Sequence, residues 1–441
     1  MAEIKNEAEK APYFAEWEKI RGRPGPDWVK AYREAGLRRF AELELPHRKQ
    51  EAWRFTNVNP IIRTPFRAQV SSSGTSIGNH QLRPYQFEGP GWVEAVFVDG
   101  FFASELSRNI SPPDGSHVGS LLNAVEADDD KLIEYLGRLG NGAGNVFTAL
   151  NAAFLLDGAW IRIPKETRLN RPMHLLFVST LREQPMARFP HNVIVLEPMA
   201  EALVVESHVS LGNGERYLTN AVSQVFVGEG ARLKRVKLLE EDRSGYHMAS
   251  TYIHQEKDSS LLSFSFFLSG RIGRDEIRAV LAGEGIGCSL NGLYLAENDE
   301  LVDNHTSIEH HAPHCTSWIG YKGVLDGKSH AVFTGRIRVE RGAQQTDSKQ
   351  LNQNLLLSDT ATVNTKPLLE IFADDVKCTH GATVGQPPPE QIFYFRTRGM
   401  SEAMARGLLT YAFAEDVVQQ VPVDCVRDRL DKFVFDKYSR K

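Results

Sequence analysis

The chain lacks any apolar run approaching the roughly 20 residues that a membrane-spanning helix needs. It has little cysteine. Cys288, Cys315, Cys378 and Cys425 are the four among 441 residues, and no two form a CxxC pair. They are too sparse for a disulfide framework in a chain this long. Neither sign of charge dominates: the net charge of −5 leaves no basic field to hold a polyphosphate backbone, so nucleic acid is not an expected partner. The first residues, MAEIKNEAEKAPYFAEWEK, lack the apolar core of a signal peptide. A reducing cytoplasmic setting, with no membrane partner, is the expectation.

Several motifs are absent or malformed. Gly323 to Ser329 looks like a phosphate-binding loop, but three residues separate its glycines where four are required, and no helix pattern follows. Glycines 283, 285 and 287 miss the dinucleotide-binding spacing. No GxSxG nucleophile elbow occurs. Asp374 and Asp375 have no second carboxylate set one coil away, as pectate-lyase-like solenoid chemistry would need.

What remains is an ordinary globular composition, 41% apolar and 24% charged. Asp27 is placed to cap a helix that runs to about Leu43, with Trp28, Ala31, Tyr32, Ala35 and Phe40 at near-helical spacing. A polar loop covers 70–81, a strand 92–98, a helix 129–139 and a glycine-rich turn 140–144. From about residue 150 to Val384 the pattern is short runs of Val, Ile, Leu and Phe closed by turn residues, with no convincing helix between them. That excludes a βαβ fold and leaves a sandwich, barrel, propeller or solenoid. Gly230, Gly285 and Gly342 open similar segments at intervals of 55 and 57 residues, which favours a solenoid. Helices resume at 401–419, capped by Ser401, and again after Pro422, with Val426, Leu430 and Phe433 as an apolar stripe. The expected division is a mixed helical region at 1–149, a β core at 150–390 and a helical region at 391–441. The last helices should pack on each other and leave the turn 396–400 accessible, either to contact a partner or as a cap closing the open end of the solenoid.

Two clusters could carry chemistry. The first is His305, His310, His311, His314 and Cys315. Imidazole and thiolate are the usual ligands for zinc or iron. However, Pro313 and the strand-like surroundings spoil the i, i+4 geometry that His310 and His314 need. In a strand His305 and His311 lie on one side and His310 on the other. Imidazoles that stack or hydrogen-bond along successive coils are the reading geometry favours. A solenoid metalloenzyme built on this cluster is the competing one. The second cluster is Cys378 and His380, which alternate with their neighbours and project from one face, about 6.6 Å apart, if 374–384 is a strand. Two ligands do not complete a site, so others would come from elsewhere, such as another chain. A buried cysteine beside a hydrogen-bonded histidine is the alternative, which spacing alone slightly favours.

The residues around both clusters resemble a known family. HTSIEHHAPHCTSWIGYKGVLDGKSHAVFTGRIRVERGAQQTDSKQLNQNLLLSD (305–359), NTKPLLEIFADDVKCTHGATVGQ (364–386), IFYFRTRGMSEAMARGLL (392–409) and the upstream PHRKQEAWRFTNV (46–58) are similar to the SufB/SufD family of iron–sulfur cluster assembly scaffolds. Lys377, Cys378, Thr379, His380 and Gly381 follow the SufD-type pattern. Ala361 stands where SufB-type members carry cysteine, and Gly381 where they carry glutamate. The resemblance implies a right-handed parallel β-helix between helical ends and a scaffold that is not an enzyme. It implies a transient iron–sulfur cluster at the interface with a SufB-like paralogue bound through the β-helix core, with none held tightly by the isolated chain. It makes Cys378 and His380 the cluster-binding candidates and leaves the 305–315 cluster structural. A SufC-like ATPase would bind the C-terminal helices. A cofactor-free homodimer is the remaining alternative.

Overall fold

In the computed structural model, residues 2–72, 77–87, 89, 91–110, 115–138, 144–180, 182–212 and 216–438 are described, with residues 2–7 described by backbone alone. The glycine-rich turn at 140–143 and positions 73–76 of the expected loop lie outside them. Among the described residues the strands form two sheets, here A with 11 strands and B with 10. From Glu201 onward successive strands alternate between the sheets, and every strand pairs in parallel with the one two places ahead. This is a parallel β-solenoid of about eight turns. Ile272, Leu301 and His330 stack in sheet A 29 residues apart, which is the length of one coil.

The turns explain the glycine intervals. Where the chain passes from sheet A to sheet B, each coil places one residue in the left-handed region: Met199, Gly230, Asp258, Gly285, His314 and Gln345, with φ from +55° to +72°. Each donates its N–H to a carbonyl in the next coil, as Gly230 does to Lys257 and Asp258 to Glu284, both over 2.8–2.9 Å. Glycine costs nothing there, and Asp is among the residues that tolerate it. The intervals of 55 and 57 residues are therefore two coils each. In the third segment Gln345, and not Gly342, holds the strained position.

Inside, the alternate residues of both sheets form one core, including Ile161, Met173, Val204, Leu233, Leu290, Ile319 and Phe333. The outer faces are covered unequally. The helices Asp27–Glu42 and Asp130–Arg138 place Val29, Tyr32, Leu132 and Leu136 on Trp160, Val193, Val195 and Phe226 of sheet A. Gly36 lets the first of these helices meet Val146–Ala153, since a Cβ there would sit 2.5 Å from the Ala153 nitrogen. Asp27 is the first helical residue and not the cap, a position Pro26 takes. The polar N-terminus forms a further helix, Ala2–Arg21, where composition gives no signal; Tyr13, Trp17 and Ile20 bury along one face.

The C-terminal helices Glu402–Val418 and Asp424–Tyr438 do not close the end of the solenoid. They lie along the outer flank of sheet B, where Ala414, Val417, Val426, Leu430 and Val434 pack on Val236, Leu238, Phe264, Phe266 and Leu293. The physical reason is that these strands are apolar on both faces, so the outer face also needs a cover. Ser401 caps the first helix by accepting from the Met404 N–H at 3.2 Å. No helix among the described residues is long and apolar enough to cross a membrane.

Candidate functional site

Cys378 and His380 lie on Val376–Gly385, the terminal strand of sheet B. This strand pairs with Thr346–Leu356 on one side only. Its counterpart in sheet A, Thr362–Ile371, is likewise terminal. The last coil therefore presents two ten-residue edges whose outward N–H and C=O groups are unpaired within the sheets.

Register shows what lies beneath the pair. Below Cys378 come Ser348, Ser317 and Cys288, one per coil; below His380 come Gln350 and Ile319. Both columns face the interior, so the spacing argument holds: Cys378 and His380 share a face. Cys378 is half-buried against the core, and His380 is exposed. Burial, together with Asp347 alongside, pushes the Cys378 thiol up, so the free chain holds it protonated at neutral pH. A metal arriving there would displace that proton.

The histidine-rich segment does not converge. His305 Nε2 lies 3.0 Å from Asp303, which also pairs with Arg274 and accepts from Thr56, under the N-terminal segment. His311 is exposed, 3.6 Å from Glu309. His314 is a turn residue at φ +59°, 3.8 Å from Glu284. Cys315 is buried and bonds the Gly283 carbonyl at 3.3 Å. Among the described residues these five form no metal-binding group. One of them does reach the other cluster. His310 is fully buried, and burial, with His311 adjacent, pushes it down to about 4. Its Nε2 hydrogen-bonds Ser317 at 2.9 Å, and Ser317 bonds Ser348 at 2.5 Å. A polar chain thus runs from His310 to the residue directly beneath Cys378. Next to it, both amide atoms of buried Gln350 and the Nδ1 of His310 have no partner. Spacing arguments could not find this chain, because its members come from three coils.

The turn 396–400 is accessible, as expected, but the larger feature around it was not legible. Phe393, Tyr394, Met404 and Leu408 are exposed between 38% and 68%. Arg398 stacks 4.4 Å over Tyr394. Large apolar side chains grouped in this way beside arginines mark a contact surface.

The family description "SUF system FeS cluster assembly, SufBD core domain" matches residues 177–413, and "SufBD protein N-terminal region" matches 5–175. The chain belongs to the SufBD family of iron–sulfur cluster assembly proteins. It is 33% identical over 390 residues to the iron–sulfur cluster assembly protein SufD of Escherichia coli, covering 87% of each chain. It is 31% identical over 402 residues to a SufBD family protein of Synechocystis, covering 90% of this chain and 88% of the other. SufD of Bacillus subtilis is 26% identical over 415 residues, with 92% and 93% covered.

Proposed function

We propose that this chain is a SufD-like scaffold subunit, without catalytic chemistry of its own, on which an iron–sulfur cluster is assembled in the cytoplasm. The observation that carries the reading is the uncovered last coil, with Cys378 and His380 on its terminal strand. A thiolate and an imidazole suit iron, and two ligands call for a second chain to complete the set. A SufB-like paralogue with its own solenoid would extend both sheets across that coil and bring the missing ligands. The cluster is cargo, held between subunits and passed on. A second copy of this chain could use the same edges in isolation. An ABC-type ATPase of the SufC kind would dock on the C-terminal helices through Phe393, Tyr394, Met404 and Leu408.

The test is co-expression with the SufB-like and SufC-like proteins, followed by iron and sulfide analysis of the purified complex. His380→Ala should leave the chain folded and the complex assembled but largely empty. Cys378→Ser should be milder, because water can fill a vacated position. A His380→Ala complex with normal iron and sulfide would overturn the assignment.

A further inference from the structure

The early coils hold a second constellation, inside the solenoid. Glu206 and His208 project inward from Glu201–Leu211, Arg235 and Lys237 from Arg232–Glu240. Each buried cation has its own carboxylate: Arg235 bonds Glu206 at 2.6 Å and Lys237 bonds Asp275 at 3.0 Å. Glu241 is different. It is buried where the chain passes from sheet B to sheet A, and among the described residues no lysine or arginine pairs with it. Its neighbours are His247, whose Nδ1 lies 3.1 Å from Oε1, and His208.

Three observations point to a missing occupant. One ligand atom from each of His208, Glu241 and His247 lies within 4.8 Å of the others. All three side chains are more than nine-tenths buried. Each histidine keeps a ring nitrogen without a hydrogen bond, Nδ1 of His208 and Nε2 of His247, while Oε2 of Glu241 has only the Thr219 hydroxyl beside it. Buried polar atoms are seldom left so, and two imidazole nitrogens at one place call for a reason. His208 is also oriented as a ligand would be. Its Nε2–H donates to Glu206 at 2.7 Å, which leaves the lone pair on the free Nδ1, the carboxylate–imidazole arrangement that backs metal-bound histidines.

We propose that His208, Glu241 and His247 form a site for one divalent first-row transition ion, zinc or ferrous iron, inside the early coils. Two imidazoles and one carboxylate are a recognised donor set for both, with a position left over for water. Ligands about 2.0–2.1 Å from one ion lie about 3.3 Å apart. Small side-chain rotations would bring the three atoms to that separation. The site is six rungs of sheet B from the terminal strand, about 29 Å. It is therefore independent of Cys378 and His380.

The test uses the full chain expressed with added Zn²⁺, Fe²⁺ or Co²⁺ and purified without chelator. One equivalent of metal per chain is expected by elemental analysis, and the zinc and iron cultures show which ion is taken. The Co²⁺ form should show visible absorption from nitrogen and oxygen ligands. Glu241→Gln keeps the shape and the acceptor for His247 but removes the charge, and should lose most of the metal. Glu206→Gln, which releases the orienting hydrogen bond on His208, should weaken binding by about tenfold. Cys378→Ser with His380→Ala should keep the full equivalent, which separates this site from the cluster site. A wild-type chain without metal overturns the proposal, as does full metal content in Glu241→Gln. If His208→Gln with His247→Gln fails to fold, Glu241→Gln decides alone.

Discussion

The two ends of the solenoid are built from the same repeat and have opposite surfaces. In the early coils every residue of Met173–Thr180 and of Tyr217–Val227 is buried. In the last coil not one residue of Thr362–Ile371 or Val376–Gly385 is. Stacking geometry is continuous between them, so the difference lies in what covers each coil. Long bare edges invite pairing with other chains, and proteins that do not use them blunt them. Here the blunting is unequal. Each edge carries one lysine, Lys366 on sheet A and Lys377 on sheet B, but only the sheet A edge adds a proline, Pro367, which cannot donate to a neighbour. The sheet B edge otherwise carries Cys378, His380 and small residues. The more open edge is the one that bears the candidate ligands.

The largest effect should come from removing the flank cover. Deleting residues after 390 exposes Val236, Leu238, Phe264, Phe266 and Leu293 together. We expect loss of soluble monomer, measured by size-exclusion chromatography of the expressed truncation. A soluble monomeric truncation would show that the flank helices are dispensable and would leave the early coils less dependent on cover than argued. The next effect is interior. Arg235→Ala leaves Glu206 buried without its guanidinium and should cost about 3–5 kcal/mol in urea unfolding. A cost under about 1 kcal/mol would mean that water enters the early coils, erasing the contrast with the open end.

Acid should act on both halves. Burial pushes His191 down to about 3 and His310 to about 4, below the ordinary value near 6.5 that each regains on unfolding. Between those values the unfolded chain binds more protons. Stability is therefore complete above about pH 6.5 and falls as the pH drops toward 4. Between pH 7 and 5, His310→Gln should lose less stability than wild type by about 2 kcal/mol. Identical losses in the two chains would show that His310 is already solvated, and that the open end reaches two coils deeper than its burial suggests.

The solenoid was legible chiefly through the family resemblance, with support from turns that recur where coils bend; Gly230 and Gly285 reported those turns and Gly342 did not. The true period was hidden because Asp258, His314 and Gln345 hold the same strained position in other coils. His314 consequently looked like a ligand when it is a turn residue. The placement of the C-terminal helices was not legible either. Strands such as Gly287–Ala296 carry apolar residues on both faces, Leu290 and Tyr294 inward and Leu293 and Leu295 outward, so alternation cannot say which face meets a helix. That Cys378 and His380 share a face was legible because they sit two apart on one strand, while the family resemblance, and not spacing, made them ligand candidates. His208 and His247 come from strands of different sheets and Glu241 from the turn between two strands, so no spacing marks the three.

The smallest effect on the chain itself should be the most informative about its edge. Val384 and Leu239 occupy one inward column five rungs apart, linked through Asn354, Gly323, Tyr294 and Phe267. Leu239 is 2% exposed and Val384 48%. Leu239→Asp buries an unpaired carboxylate and should abolish folding. Val384→Asp places the same group in water and should shift stability by no more than about 0.5 kcal/mol. A partner that continues the column would bury that carboxylate, so association with a SufB-like chain should fail while the melting curve stays in place. Size-exclusion chromatography of the mixed proteins reads the first quantity and urea unfolding the second. Unimpaired association of the Val384→Asp chain would mean that the last coil stays in solvent within the complex. Cys378 and His380 would then have no partner ligands to meet there.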